Sequence, residues 1–169
     1  MVRTLLAASA ALAALAAAPP ALAHDYAVGD LSIAHPYVIE TPPNAPVAGG
    51  YLSIANEGAT DDLLVSATVP GAVAETVQLH AMEMEDGVMR MSEVEGGIPV
   101  PAGETVVLRR GGLHVMLMGL SEGLRAGEEI PATLLFRDAG PVEVVFAVET
   151  RAEAEARGDA DHGAHHGGH

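Results

Sequence analysis

The chain predicts a single all-β domain, a sandwich or barrel of short antiparallel strands, and three observations carry that prediction. Gly and Pro recur at short intervals between β-branched runs. No convincing amphipathic helix occurs before residue 150. Apolar residues alternate with polar ones, as in Val142, Val144, Phe146 and Val148 beside Glu143 and Glu149. Alternation marks a strand with one buried face, and many short strands separated by turn signals mark two packed sheets.

In chain order, Arg3 supplies a positive n-region, residues 5–18 an apolar stretch and Ala21-Leu22-Ala23 a small-residue cleavage site, the pattern of a secretion signal. The apolar run is shorter than the about 20 residues of a membrane span. The expected product is therefore soluble, exported to the periplasm, without stable membrane insertion, and begins at His24. No cysteine follows the run, so a bacterial lipid anchor is excluded. Residues 1–23 are thus expected as signal peptide, 24–149 as the β-domain and 150–169 as a flexible tail.

Within the domain, strands are expected over residues 27–34, 50–56, 63–68, 72–84, 88–94, 105–109, 113–120, 130–136 and 142–149. Turn signals separate them: Pro42-Pro43-Asn44, Asn56-Glu57-Gly58, Pro70-Gly71, Asp86-Gly87, Gly96-Gly97, Pro101-Ala102-Gly103, Gly111-Gly112 and Asp138-Ala139-Gly140. Residues 121–127 are expected to hold a short helical turn.

Charge and cysteine count exclude several functions. Asp and Glu number 23 against 8 basic residues, all Arg. An acidic surface argues against nucleic acid, whose binding rewards phosphate neutralisation, and favours cations. With no cysteine there is no disulfide framework, thiol redox chemistry, thiolate-zinc or iron–sulfur site, and no blue-copper electron carrier.

One stretch concentrates unusual chemistry. Residues 80–118 contain six of the seven methionines: Met82, Met84, Met89, Met91, Met116 and Met118, together with His80 and His114. If Asp86-Gly87 is a two-residue hairpin turn, Met84 faces Met89 and Met82 faces Met91. Alternate residues share a strand face, so His80 joins these methionines on one side. His114, Met116 and Met118 likewise share a face, leaving Leu113, Val115 and Leu117 for the core. Methionine is also a good core filler, so packing is the alternative. Imidazole and thioether are ligands for a soft ion, and copper is the ion expected.

The run Ala48-Gly49-Gly50-Tyr51-Leu52-Ser53-Ile54-Ala55-Asn56, the segment from His80 to Met91, Ile98-Pro99-Val100-Pro101-Ala102-Gly103 and Gly112-Leu113-His114-Val115-Met116-Leu117-Met118-Gly119-Leu120 together resemble the PCu(A)C periplasmic copper chaperones over residues 28–148. That resemblance implies a cupredoxin-like antiparallel β-sandwich of Greek-key type. It implies His80, Met91, His114 and Met116 as ligands for Cu(I), with Met82, Met84, Met89 and Met118 as neighbours or a secondary set. It also implies, as acceptor, the cytochrome c oxidase subunit carrying the binuclear copper centre, or a thiol-bearing assembly factor. Ten residues separate His80 from Met91, as in the family, but twenty-two separate Met91 from His114, one more than usual. A loop at Gly96-Gly97 or between Arg109 and Gly112 can absorb it without turning His114 to the other face.

The tail holds His162, His165, His166 and His169 among glycines. Such a composition builds no core, and a second site, more tolerant of Cu(II), is expected there. His24 at a processed N-terminus is a further Cu(II) chelator, His35 is structural or exposed, and Tyr51 and Asn56 serve strand and turn. No acid/base pair or activated nucleophile suggests an enzyme. The expectation is a chaperone, with a copper buffer or resistance protein, or a His24-dependent copper enzyme, as alternatives. A monomer is expected, with a metal-bridged dimer as the other arrangement.

Overall fold

Alternation decides the architecture. The computed structural model describes residues 25–156. Within them lie β1 (Tyr26–Val28), β2 (Leu31–Ile39), β3 (Val47–Asn56), β4 (Asp62–Thr68), β5 (Ala74–Glu85), β6 (Val88–Glu93), β7 (Ile98–Val100), β8 (Thr105–Leu108), β9 (His114–Leu120), β10 (Glu129–Phe136) and β11 (Gly140–Glu149). Hydrogen bonds link them in the order β6-β5-β9-β3-β2-β11-β10-β4-β7, with β1 on β2 and β8 on β3. β3 serves two partners in turn, β9 along Val47 to Gly50 and β8 along Leu52 to Ala55.

Buried faces from both ends of this path join one core. Leu79, Val115 and Leu117 come from β5 and β9, and Leu64, Ile98, Leu134 and Phe136 from β4, β7 and β10. Each such side chain contributes about 1.5–3 kcal/mol on full burial, and strand alternation turns the polar neighbours outward. The all-β expectation holds. One pairing is not antiparallel: β2 runs parallel to β11, with Tyr37 opposite Ala147 and Ile39 opposite Glu149. These strands are joined by most of the domain, not by a hairpin, so no turn dictates their relative direction.

Several expected boundaries shift. The expected strand 27–34 is two: Gly29, at φ +57°, turns the chain between β1 and β2, a conformation open to glycine. β2 then runs on through His35-Pro36 to Ile39, with a register break against β3 there and His35 at φ +49°. Pro36 lacks the N–H a regular ladder needs, and His35 Nε2 lies 2.8 Å from Glu149 Oε1. β7 was not expected. Residues 121–127 form bends and a turn, not a helical turn: Leu124 is buried, its carbonyl accepting from the Thr41 N–H and its own N–H donating to the Thr41 hydroxyl, both at 2.9 Å.

Residues 151–156 form one short helix, α1. Its start is a capping box: the Glu153 N–H donates to the Thr150 hydroxyl at 3.2 Å, and the Thr150 N–H to Glu153 Oε2 at 2.8 Å. Among the described residues no helix is long and apolar enough to cross a membrane.

Candidate metal centre

The turn sets the register of the hairpin. Asp86 and Gly87 have φ of +52° and +80°, the pair of positive angles a two-residue type I′ turn requires. Met84 is opposite Met89, Met82 opposite Met91, and His80 opposite Glu93. On its other side β5 pairs β9, with His80 opposite His114, Gln78 opposite Met116 and Thr76 opposite Met118. His114 has therefore kept the face that the longer Met91–His114 spacing left open to question. Beneath, Leu79, Ala81, Val115 and Leu117 are buried.

Exposure decides against packing as the role of the methionines. None of the six is in the buried core or among the half-buried residues packed on it. Met84 is 66% exposed, Met89 45% and Met91 49%. Every residue of β6 is exposed. Met82, Met116 and Met118 are half-buried on the same face as the histidines.

The two imidazoles form the centre of the group. Their ring centroids are 5.7 Å apart, edge to face. Met91 and Met116 stand one diagonal step from His80, on opposite sides, where Cβ atoms are about 7–8 Å apart. In a flat sheet the Met91 and Met116 backbones would be two strand spacings apart, about 10 Å, and offset by four residues, about 13 Å. Both thioethers can therefore meet over the histidines only if the exposed hairpin departs from a flat sheet, and two-stranded ribbons are the sheets that twist most. Met82, Met84 and Met89 continue outward along the hairpin.

Hydrogen bonds hold both rings. The Gly112 carbonyl accepts from His114 Nδ1 at 2.9 Å and from the Met82 N–H at 3.1 Å. His80 Nε2 lies 2.9 Å from Gln78 Oε1, and Gln78 Nε2 donates to Glu93 Oε2 at 3.1 Å. His80 Nδ1 is buried and has no hydrogen-bond partner. Burial, then the neighbouring His114, lowers the His80 pKa below the ordinary imidazole value, against the opposing pull of Glu93. A neutral imidazole is the form that offers a lone pair to a metal. Among the described residues no group of three or more His, Asp or Glu is arranged for a metal, so the thioethers are the donors that can complete a coordination shell here.

Sequence reasoning missed three participants. Tyr51, assigned to strand structure alone, has its ring centroid 6.4 Å from that of His114 and 5.2 Å from that of Tyr37, which is 5.3 Å from His35. A Cβ on Gly49, opposite Met116, would lie 2.5 Å from the Tyr51 hydroxyl. Glycine there gives the ring its place. Burial raises the Tyr51 pKa, while Arg110 and Arg151 oppose the rise. Gln78 and Glu93 were also overlooked, although the Asp-Gly register itself sets Glu93 opposite His80. Asn56 keeps its turn role, donating to the Thr60 and Val100 carbonyls and accepting from the Gly58 N–H. His24, His162, His165, His166 and His169 lie outside the described residues.

The model of a family described as "Putative lipoprotein LpqE-like" matches residues 31–148. A protein of Leifsonia xyli subsp. xyli (strain CTCB07), described as "Putative lipoprotein Lxx21020", is 38% identical over 96 residues, 57% of this chain and 57% of that one. The match thus spans little more than half of that relative. Among solved structures, the copper-bound PCuAC domain from PmoF2 superposes with a TM-score of 0.63 at 29% identity, covering 75% of this chain and 98% of that domain. The solution structure of CuI-DR1885 from Deinococcus radiodurans does so with a TM-score of 0.55 at 28% identity, covering 78% and 84%.

Proposed function

The chain belongs to the LpqE-like family, and from that premise, joined to its likeness to a copper-bound PCuAC domain, we propose that it is a copper chaperone that carries Cu(I) on the His/Met face and passes it on. One observation carries this: His80 and His114 lie ring to ring, one with a buried nitrogen that has no partner, beside methionines the core does not use. His80, Met91, His114 and Met116 are the proposed ligands. Thioethers favour Cu(I), and imidazole accepts either copper oxidation state. An uncharged set without thiolate holds the ion reversibly, which suits a carrier. Binding and release, not turnover, are its activity.

The exposed hairpin supplies the exit. Met82, Met84 and Met89 lead outward from the histidines along an edge strand that a partner can approach, and Met118 continues the face inward along β9. The proposed acceptor is the cytochrome c oxidase subunit with the binuclear copper centre, or a thiol-bearing assembly factor. A thiolate acceptor would draw Cu(I) from thioethers by its stronger soft-donor character.

Export to the periplasm follows from the signal-like residues 1–23, and the lipoprotein description of the family and the Leifsonia protein favours an exported chain. Residues 24–149 are the copper-carrying domain, and 150–169 a tail with its own Cu(II) site at His162, His165, His166 and His169. Arg110, in the loop before His114, pairs with Glu155 of α1 at 3.3 Å, so the tail starts beside the metal face. His162 is six residues beyond Ala156, a reach of up to about 20 Å.

The test is transfer. Cu(I)-loaded protein is mixed with the apo acceptor domain or with a small chelator of matched affinity. Faster delivery to the acceptor supports a chaperone. Equal rates would make the protein a copper buffer without a specific partner.

A further inference from the structure

His80 stands in a hydrogen-bonded chain that selects one of its two neutral forms. Gln78 Nε2 donates to Glu93 Oε2 at 3.1 Å, and an ionised carboxylate only accepts. The amide oxygen is thereby turned to His80 Nε2, 2.9 Å away. That oxygen is also only an acceptor, so Nε2 carries the proton and Nδ1 the lone pair. Nδ1 is the buried atom without a partner, the state in which a polar atom is most costly to leave unmatched. His114 is held the other way round. Its Nδ1 lies 2.9 Å from the Gly112 carbonyl oxygen, so Nδ1 is protonated and Nε2 keeps the lone pair.

We propose that Gln78 and Glu93 are positioning residues of the metal site, holding His80 in the Nε2–H form so that it coordinates through Nδ1, while the Gly112 carbonyl presents His114 through Nε2. The strand pattern puts both in place. Gln78 is two residues before His80 on the same face, and Glu93 is directly opposite His80 on β6. Partners of this kind fix ring orientation and raise ligand basicity, and losing one lowers metal affinity by about 10–100-fold. Glu93 lies on the strand that carries Met91, so the same bond ties the exposed edge strand to the histidine pair. The identity of the ion rests on the copper proposal; the tautomer exists without any ion.

Nitrogen-15 NMR of the full chain without metal, above the imidazole titration range, reads the tautomer directly. His80 is expected as Nε2–H. Gln78→Leu removes the acceptor and shifts His80 toward a mixture, and Cu(I) affinity by chelator competition falls about 10–100-fold while the urea midpoint stays put. Glu93→Gln leaves an acceptor oxygen for the Gln78 amide, so the tautomer and most of the affinity are retained. An Nδ1–H form in the unaltered chain, or Gln78→Leu with unchanged tautomer and affinity, overturns the proposal. The tautomer as described in an unaltered chain that binds no Cu(I) supports the Gln78–Glu93 device and refutes copper as its ion.

Discussion

Replacing Met91 by Ala and by Leu separates a packing residue from a ligand, because the first deletes bulk and the second deletes only the thioether. A methionine that filled the core would cost about 2–5 kcal/mol on truncation. Met91 is 49% exposed on a strand with no buried residue, and substitutions in such surroundings fall within about 0.5 kcal/mol. Leu keeps the bulk and deletes the thioether, so the metal-free protein should unfold at an unchanged urea concentration. Cu(I) affinity should fall tenfold or more, about 1.4 kcal/mol. Leu117→Ala, at 1% exposure, is the counterpart: a loss of about 2–5 kcal/mol of stability. Urea unfolding of the metal-free proteins and Cu(I) competition against a chromophoric chelator give both numbers. The reasoning is refuted if Met91→Ala destabilises the metal-free protein by about 2–5 kcal/mol, the cost of truncating a core methionine, or if Met91→Leu leaves Cu(I) affinity unaltered.

Asp62 supplies a test of the fold remote from the metal. Desolvation pushes its pKa up, but the Asp138, Leu63 and Ala139 N–H donors, together with Arg137, outweigh it and leave the value below the ordinary one. The stabilisation is therefore complete above the unfolded carboxyl range and is lost as pH falls through the lower, folded value. Asp62→Asn should cost about 1–3 kcal/mol at neutral pH in urea and flatten the acid limb of the stability profile; an unchanged limb would contradict this. For His80, whose folded pKa is lowered, the unfolded chain takes up the proton first, so stability falls as pH drops below the ordinary imidazole value and is unaffected above it. Proton NMR should find His80 titrating below free histidine, and a value at or above it would contradict the assigned burial. Gly49→Ala should displace the Tyr51 ring from His114 and cost about 1–3 kcal/mol as overpacking, measured by urea unfolding and by loss of the ring-current shift on His114.

The hairpin was legible to the residue because Asp86-Gly87 is a local signal. A two-residue turn with two positive φ angles leaves one register, and that register set out Met82, Met84, Met89, Met91 and even Glu93. The pairing of His80 with His114 was not legible, since thirty-three residues and three further strands intervene and tertiary packing alone fixes β5 against β9. Tyr51 was missed for the same reason: its strand assignment was right, but nothing local to Gly49-Gly50-Tyr51 says that β9 lies alongside. β7 has only three residues, Ile98 and Val100 buried either side of exposed Pro99, too short a run for its alternation to stand out. The break of β2 at His35-Pro36 had a local cause in Pro36 and was overlooked, whereas the parallel pairing of β2 with β11 depends on a partner at the far end of the domain. The start of the tail departs from the flexible segment expected over residues 150–169: residues 151–156 are helical and Ala154 is buried, through a Thr150–Glu153 capping box that the reading of the tail's composition overlooked.

The most direct measurement is a Cu(I) competition titration under reducing conditions on the full chain, on the chain with His162, His165, His166 and His169 replaced by Ala, and on His114→Ala. One tightly held Cu(I) per chain that survives the tail replacements and is lost with His114→Ala is the predicted result. Cu(I) binding that disappears with the tail histidines and is indifferent to His114 would contradict the account, leaving the His/Met face without its ion.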